Sequence, residues 1–463
     1  MRSENNLGKD KIKPLVWRVA IPSMLAQFVS VLYSIVDRVY IGNIPVVGDT
    51  ALAGVGVCGP IVTLLSAFAY LVGVGGSPLV SISLGAGKEK EAQRILSNCF
   101  ALLIGISIVS TVLVLLVRRP LLMWFGASDV TFPYADAYFT IYLLGTVFAL
   151  LSLGMNQFII CQGFARVGMK SVLLGAALNI ALDPVFIFAL DMGARGAALA
   201  TVLSQLASCA YALRFLFRED IPVRITMGGY SARIIRKVLS VGFTPFIIVA
   251  VDNVMIISMN ALLQKYGGPA QGDMLLTCAT ILQSFMLIVT MPLGGITTGT
   301  QAILGYNYGA RRADRVMEAE KQIACLCLAY TALLFVIAHT IPQLFVSIFT
   351  REPEYVRLTV WAIKVYTLGI IPLGLQYMVV DGFTGMGVVR LALPLSFFRK
   401  LLFFTSVFLL PAHFGVNAIF CAEPISDIVG ALASAAVYGL SIRKILRQRE
   451  SSPERLEGKT AAA

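Results

Sequence analysis

This sequence predicts an all-α polytopic membrane protein, with twelve transmembrane helices in two six-helix bundles related by a parallel internal repeat. Three observations carry that fold class. Hydrophobic residues make up 57% of the chain and charged ones 13%, and mean hydropathy is +0.81, whereas a soluble domain is roughly one-quarter charged. The apolar runs have the ~20-residue length that crosses a bilayer as helix and lack the ~10-residue alternation of an outer-membrane barrel. Motifs of the first half also return 222–224 residues later.

The runs fall at about 15–41, 51–80, 92–117, 134–163, 168–190, 194–217, 237–264, 274–305, 320–349, 355–386, 391–412 and 415–441. We number them spans 1 to 12. The net charge of +12 invites a nucleic-acid reading, but about 29 of the 37 Lys and Arg fall with the termini and the even-numbered loops. By the positive-inside rule this is a topology signal that places both termini in the cytoplasm. No nucleic-acid partner is expected. The first apolar run is too long for a signal-peptide core and lacks a small-residue cleavage site. The eight cysteines sit inside spans without zinc-ligand spacing, which suits small apolar core residues. The tail after Arg449 is polar and is expected to be disordered.

Three pairs of segments define the repeat. VGVGGSPLVSISLGAGKEKEAQRI from Val72 matches MPLGGITTGTQAILGYNYGARRADRVMEAEKQ from Met291 in its Gly-rich helix end, Gly-Ala turn, basic residue and polar helix start. GARGAALATVLSQLAS from Gly193 matches GVNAIFCAEPISDIVG from Gly415, and Pro22 in span 1 matches Pro245 in span 7. Six spans per half give both halves the same orientation, as in parallel-repeat transporters that bind cargo between their halves. The expected lobes are residues 1–225 (spans 1–6) and 226–463 (spans 7–12 and a short cytoplasmic tail).

Enzyme readings fail on inventory. Only His339 and His413 occur, no Ser/His/Asp set is recognisable, and GVGGSP lacks the Lys-Ser/Thr of a phosphate-binding loop. A membrane-embedded transferase would need paired metal-binding acids of the D-D-x-x-D type, which are absent. Charged residues inside membrane spans are costly, about 2.5–3.5 kcal/mol on insertion scales, and tend to face a cavity or partner. Span 1, IPSMLAQFVSVLYSIVDRVYIG, carries Asp37 with Tyr33 one turn away on the same face and Pro22 further along. Asn179 and Asp183 share a face of span 5 by the same spacing. Two acids facing one pocket would repel if both were ionised, so one is expected to hold a proton. Pro22 removes a helical hydrogen bond and offers a bend point.

With these residues in view, the chain resembles the MATE (multidrug and toxic compound extrusion) family, in its bacterial DinF-like branch. The motifs are the span 1 segment above, Asn179 and Asp183, GARGAALATVLSQ leading into span 6, and MPLGGITTGTQAILGYNYGA in span 8; the likeness covers residues 14–445. It implies two six-helix bundles around a cleft and export of cationic amphipathic compounds in exchange for protons or sodium. It also implies a cation, proton and substrate site at Asp37, Tyr33, Asn179, Asp183 and Thr201, with Asn156 as a further polar wall and Pro22 as a hinge. Asp252 stands near a cation-binding acid of another branch, whose span 10 acid has no counterpart, since Leu373 or its neighbours occupy the place. In span 12, Glu423 and Asp427 occupy the repeat positions of Thr201 and Gln205, and with Arg399 are expected to form a buried charge cluster. At the repeat position of Asp37 stands Asn260, so the ion site is expected in the first lobe.

The expected mechanism is alternating access. A deprotonated Asp37/Asp183 pocket attracts a lipophilic cation, aromatics such as Tyr33 and Phe28 pack against it, and protonation outside releases it. No cofactor beyond the coupling ion is expected, and sodium would sit at Asp37, Asn179, Asp183 and Thr201. The protein is expected to be a multi-pass monomer of the plasma or inner membrane, in contact with lipid. The competing reading is a lipid-linked oligosaccharide flippase, which would want Arg399, Lys400 and Lys364 in the cleft.

Overall fold

The computed structural model describes residues 5–451, apart from the side chains at positions 49, 269, 270 and 273. The polar tail past Ser451 lies outside them. The described residues form helices and short connections, with no strand. The first half contains α1 (Ile12–Gly42), α2 (Gly48–Gly85), α3 (Glu89–Trp124), α4 (Phe132–Leu144), α5 (Thr146–Ile160), α6 (Ala165–Pro184) and α7 (Ala194–Leu216). The second contains α8 (Ala232–Gly309), α9 (Ala313–Thr340), α10 (Pro342–Val346), α11 (Pro353–Tyr366), α12 (Ile370–Gly385), α13 (Val389–Phe414) and α14 (Ala422–Ser451). Eleven units are long and apolar enough to span a bilayer, and the bent pair α4–α5 makes twelve. Outward-facing side chains such as Val112, Leu113, Leu116 and Leu432 are apolar and exposed, as lipid contact requires.

Several boundaries differ from the sequence expectation. Span 4 is not straight: α4 and α5 meet at Gly145 with a bend of 56°. A Cβ there would lie 2.4 Å from a methyl of Val202, so the missing side chain lets α7 pack into the elbow. Span 9 ends at Thr340, and Pro342 starts the separate short helix α10, as proline favours a first turn. The seventh and eighth spans are the two arms of α8, divided at Gly268, whose φ of 61° and ψ of −168° are open to glycine.

The repeat is visible in the backbone. Left-handed residues recur at Gly87 and Arg311, Gly163 and Gly387, and Gly193 and Gly415, pairs separated by 222–224 residues. The first pair closes its helix identically: Lys88 N donates to Ser83 O (2.8 Å) and Arg312 N to Asn307 O (3.0 Å). Gly145 is matched by the 3-10 turn Thr367–Gly369 between α11 and α12.

Packing differs between the two ends of the bundle. At the end carrying the N-terminus, one apolar core joins both halves, mixing Leu15, Val80 and Phe158 with Leu293, Ile303 and Phe383. At the other end the core divides into a first-half cluster around Ile41, Leu65 and Phe139 and a second-half cluster around Met259, Leu282 and Phe403. The molecule is therefore a V, closed where the N-terminus lies. Close backbone contact seals that end: a Cβ on Gly85 would lie 1.9 Å from Tyr306 O, and one on Gly309 would lie 2.1 Å from Ile82 O. A strap formed by residues 5–10 crosses the same end. Asn5 Nδ2 donates to Gly163 O (2.9 Å) on one side; on the other, Asn307 Nδ2 donates to Leu7 O (3.0 Å) and Arg315 Nη2 to Asp10 O (2.8 Å).

Candidate functional site

In the first lobe, α1 and α6 pack side by side and bring Asp37 and Asp183 face to face, close enough for their carboxyls to interact. Asp183 is fully buried and Asp37 half-buried. Local sequence explains the position of Asp183. Pro184 ends the regular α-helical bonding, and Val185–Ala189 continue as a π-helical turn, closed by Leu190 N donating to Val185 O (2.9 Å). Such turns often accompany functional sites.

Asn179, one turn before Asp183, donates from Nδ2 to Asp183 Oδ1 (3.3 Å) and to Thr201 Oγ1 (3.4 Å) on α7. Thr201 donates to its own helix at Ala197 O (3.0 Å). Tyr33 stands beside Asp37, Tyr70 and Tyr142. Neither carboxyl has an ion-pair partner among the described residues; Arg38, next to Asp37 in sequence, points outward and is exposed. Asp37 Oδ1, Asn179 Oδ1 and Asp183 Oδ2 are all buried without a hydrogen-bond donor among the described residues, the two carboxyls meeting only each other. Buried polar atoms are nearly always paired, so three orphan oxygens in one pocket indicate a site built to receive something positive. Two carboxyls with a neutral amide and hydroxyl suit a proton or a monovalent cation held by oxygen. Among the described residues, no three His, Cys, Asp or Glu gather to hold a metal.

One candidate lies elsewhere. Asn156 on α5 is buried with its Oδ1 against Gly168, at the opposite end of α6 from Asp183. Fifteen residues of helix at ~1.5 Å each place it about 22 Å away along the axis, so Asn156 is not a wall of this pocket. Sequence reasoning missed the aromatic wall. Tyr138 on α4 lies near Asp37 and Thr201, and Tyr142 lies near Gln205 and Ser66. The two rings stack with centroids 6.3 Å apart. Their i, i+4 spacing, like that of Thr201 and Gln205, was the available signal. Pro22 is buried inside α1, which runs unbroken past it.

The second lobe is arranged differently. Arg399 lies between Asp427 (2.8 Å) and Glu423 (3.2 Å), and the Tyr366 hydroxyl donates to Glu423 (3.4 Å). Lys400 pairs with Asp252 on α8. Asn260, opposite Asp37 in the repeat, accepts from Gln283 Nε2 (3.4 Å). A cavity of about 170 Å³ opens at the apex of the V, lined by Tyr70 of α2 together with Pro245, Tyr377, Asp381, Arg399 and Lys400 of the second half.

The MatE family model matches residues 22–185 and again residues 249–409. Curated relatives include the multidrug export protein MepA of Staphylococcus haemolyticus, 24% identical over 92% of this chain and 93% of that protein. MepA of Staphylococcus aureus is 23% identical over 93% and 94%. Among solved structures, an outward-facing multidrug resistance MATE family transporter superposes with a TM-score of 0.88 at 21% identity, covering 95% of this chain and 98% of the other. A MATE structure in the bent conformation superposes at 0.87 with 22% identity, over 96% and 98%, and one in the straight conformation at 0.88 with 21%, over 95% and 98%. With the family model covering most of both lobes and the fold agreeing throughout, this chain belongs to the MatE family.

Proposed function

We propose that this protein is a secondary multidrug efflux antiporter, exporting cationic amphipathic compounds in exchange for H+ or Na+ by alternating access, with the coupling ion bound at Asp37, Asn179, Asp183 and Thr201. The observation that carries the coupling site is the set of three unpaired oxygens on Asp37, Asn179 and Asp183, with no basic partner for either acid among the described residues. The family and the multidrug export proteins related to this chain support the efflux reading.

The basic residues gathered with the termini favour a cytoplasmic placement of that end. Its closure then leaves the cleft open to the outside, as in the state that takes up the coupling ion. Filling the orphan oxygens with a proton or sodium removes their electrostatic cost and changes how α1 and α6 pack. One charge falling through ~150 mV supplies about 3.5 kcal/mol, enough for a gradient of a few hundred-fold when the cargo carries no net charge. The flippase alternative finds less support, because Arg399 and Lys400 are both engaged by acids.

The test is dye transport in proteoliposomes under an imposed pH gradient and then a sodium gradient. Transport driven by one of the two and lost in Asp37→Asn supports the reading. Movement of a lipid-linked sugar, with neither gradient moving the dye, points to the flippase instead.

A further inference from the structure

The cavity at the apex of the V lies outside the Asp37–Asp183 pocket and mostly on the other lobe. Its wall carries one acid, Asp381, whose Oδ2 accepts a hydrogen bond of 2.5 Å from Thr297 Oγ1. Gln301, one turn beyond Thr297 on the same face, approaches the same carboxyl. It is 3% exposed, and neither of its amide atoms has a partner at ordinary hydrogen-bond distance among the described residues. The two cations on the wall are already engaged, Arg399 by Glu423 and Asp427 and Lys400 by Asp252. The wall therefore presents a carboxylate held only by neutral groups. Tyr70 and Tyr377 supply aromatic faces, and Pro245 and Ile248 apolar surface. A volume of about 170 Å³ holds one ring system, since a cavity of ~150 Å³ accepts benzene.

We propose that Asp381 is the charge anchor for the cargo, binding the cationic end of a lipophilic organic cation at the apex of the cleft while the coupling ion binds separately at Asp37 and Asp183. This rests on the efflux reading and refines it: cargo and ion occupy different lobes, and each acts on the other through the shape of the cleft. A carboxylate with neutral partners attracts a cation without first breaking an ion pair. Aromatic faces within reach of that cation add to the attraction.

The test uses the full chain in lipid nanodiscs with benzyltrimethylammonium, a cation carrying a single ring, as probe. Asp381→Asn should weaken equilibrium binding by about tenfold or more, which corresponds to about 1.4 kcal/mol. Asp381→Glu should retain most of the affinity. Asp37→Asn should still bind the probe, with a change in affinity smaller than that of Asp381→Asn because it acts only through the coupling between the sites, while losing gradient-driven transport. Wild-type binding by Asp381→Asn, or loss confined to Asp37→Asn, overturns the proposal. Photolabelling of the wild type with an azido derivative of ethidium gives a readout independent of variant folding. Label on peptides of α12 and α13 supports the anchor, and label confined to α1 and α6 refutes it. A wild type that neither binds the cation nor transports a dye under either gradient removes the efflux reading itself. Transport by the wild type alongside an unaffected Asp381→Asn removes the anchor alone.

Discussion

At the repeat positions of Thr201 and Gln205 the second half carries Glu423 and Asp427, and this acid pair is held in the opposite way from Asp37 and Asp183. In the second half, Arg399 bridges both carboxylates and Lys400 takes Asp252. In the first, Asp37 and Asp183 face each other with an amide, a hydroxyl and tyrosines around them. The residue opposite Arg399, 224 positions earlier, is Gly175, so that lobe has no basic side chain at the matching place. A guanidinium between two carboxyls offsets part of their burial cost, whereas two facing carboxyls without a cation have no such offset unless they take up a proton or an ion. One scaffold thus gives a site whose two acids share a guanidinium and a site whose two acids have no basic partner among the described residues.

Removing charge from each site, with stability and transport read together, separates the two arrangements. Asp37→Asn is expected to lower gradient-driven dye efflux by at least about tenfold, because only one of the two facing carboxyls then remains to take up a proton or an ion. Its melting temperature should hold or rise, since a buried repulsion has been relieved. Asp183→Asn should show a smaller but clear loss of coupling. Efflux of ethidium by Asp37→Asn at the wild-type rate and pH dependence would falsify the coupling assignment.

Arg399→Met should do the reverse. Leaving Glu423 and Asp427 buried without their guanidinium costs about 3–5 kcal/mol where such pairs have been broken. Detergent-solubilised protein should therefore melt markedly earlier. Replacing all three together with apolar or amide groups should recover most of the lost stability. If Arg399→Met were as stable as wild type, the cluster would not be a structural element of the second lobe.

Much of this contrast was legible in the sequence. Helical spacing placed Asn179 with Asp183 and Glu423 with Asp427, and the repeat identified which positions correspond. The spacing could not show that Asn156 points toward Gly168, because the direction of a polar group on a helix buried all round is set by its neighbours. The elbow at Gly145 depends on Val202, which comes from another helix. The pairing of Lys400 with Asp252 joins residues 148 positions apart, and Asp381 gains meaning only once Thr297 and the cavity wall surround it. Lateral contacts between helices are what a period of 3.6 residues leaves unspecified.

The two ends of the bundle give a smaller test. The closed end depends on bare backbone at Gly85 and Gly309, so the Cβ of Gly309→Val would lie 2.1 Å from Ile82 O. Distances between spin labels across that end should lengthen by a few ångströms, with a several-fold fall in transport rate, because a seal between bistable packings must reopen and reclose in every cycle. Unchanged distances would mean that the contact is incidental to closure.

The smallest expected effect belongs to Pro22. The proline leaves one carbonyl of the preceding turn without its helical donor, yet α1 runs through it unbroken. Ser23 beside it packs onto the backbone at Gly295 and Gly299 of α8, so bending α1 here would lift it from the second lobe while the Asp37 end stays with the first. Pro22 is thus placed where a change in the ion pocket could be felt by the other lobe. Pro22→Ala restores the helical bond and should stiffen α1, slowing gradient-driven efflux by about two- to fivefold with cargo affinity unaltered, an effect on the conformational step rather than on binding. Equal transport rates at saturating dye would instead make Pro22 one of the many prolines that membrane helices tolerate without bending, and the coupling between lobes would have to run through the α2–α8 contacts.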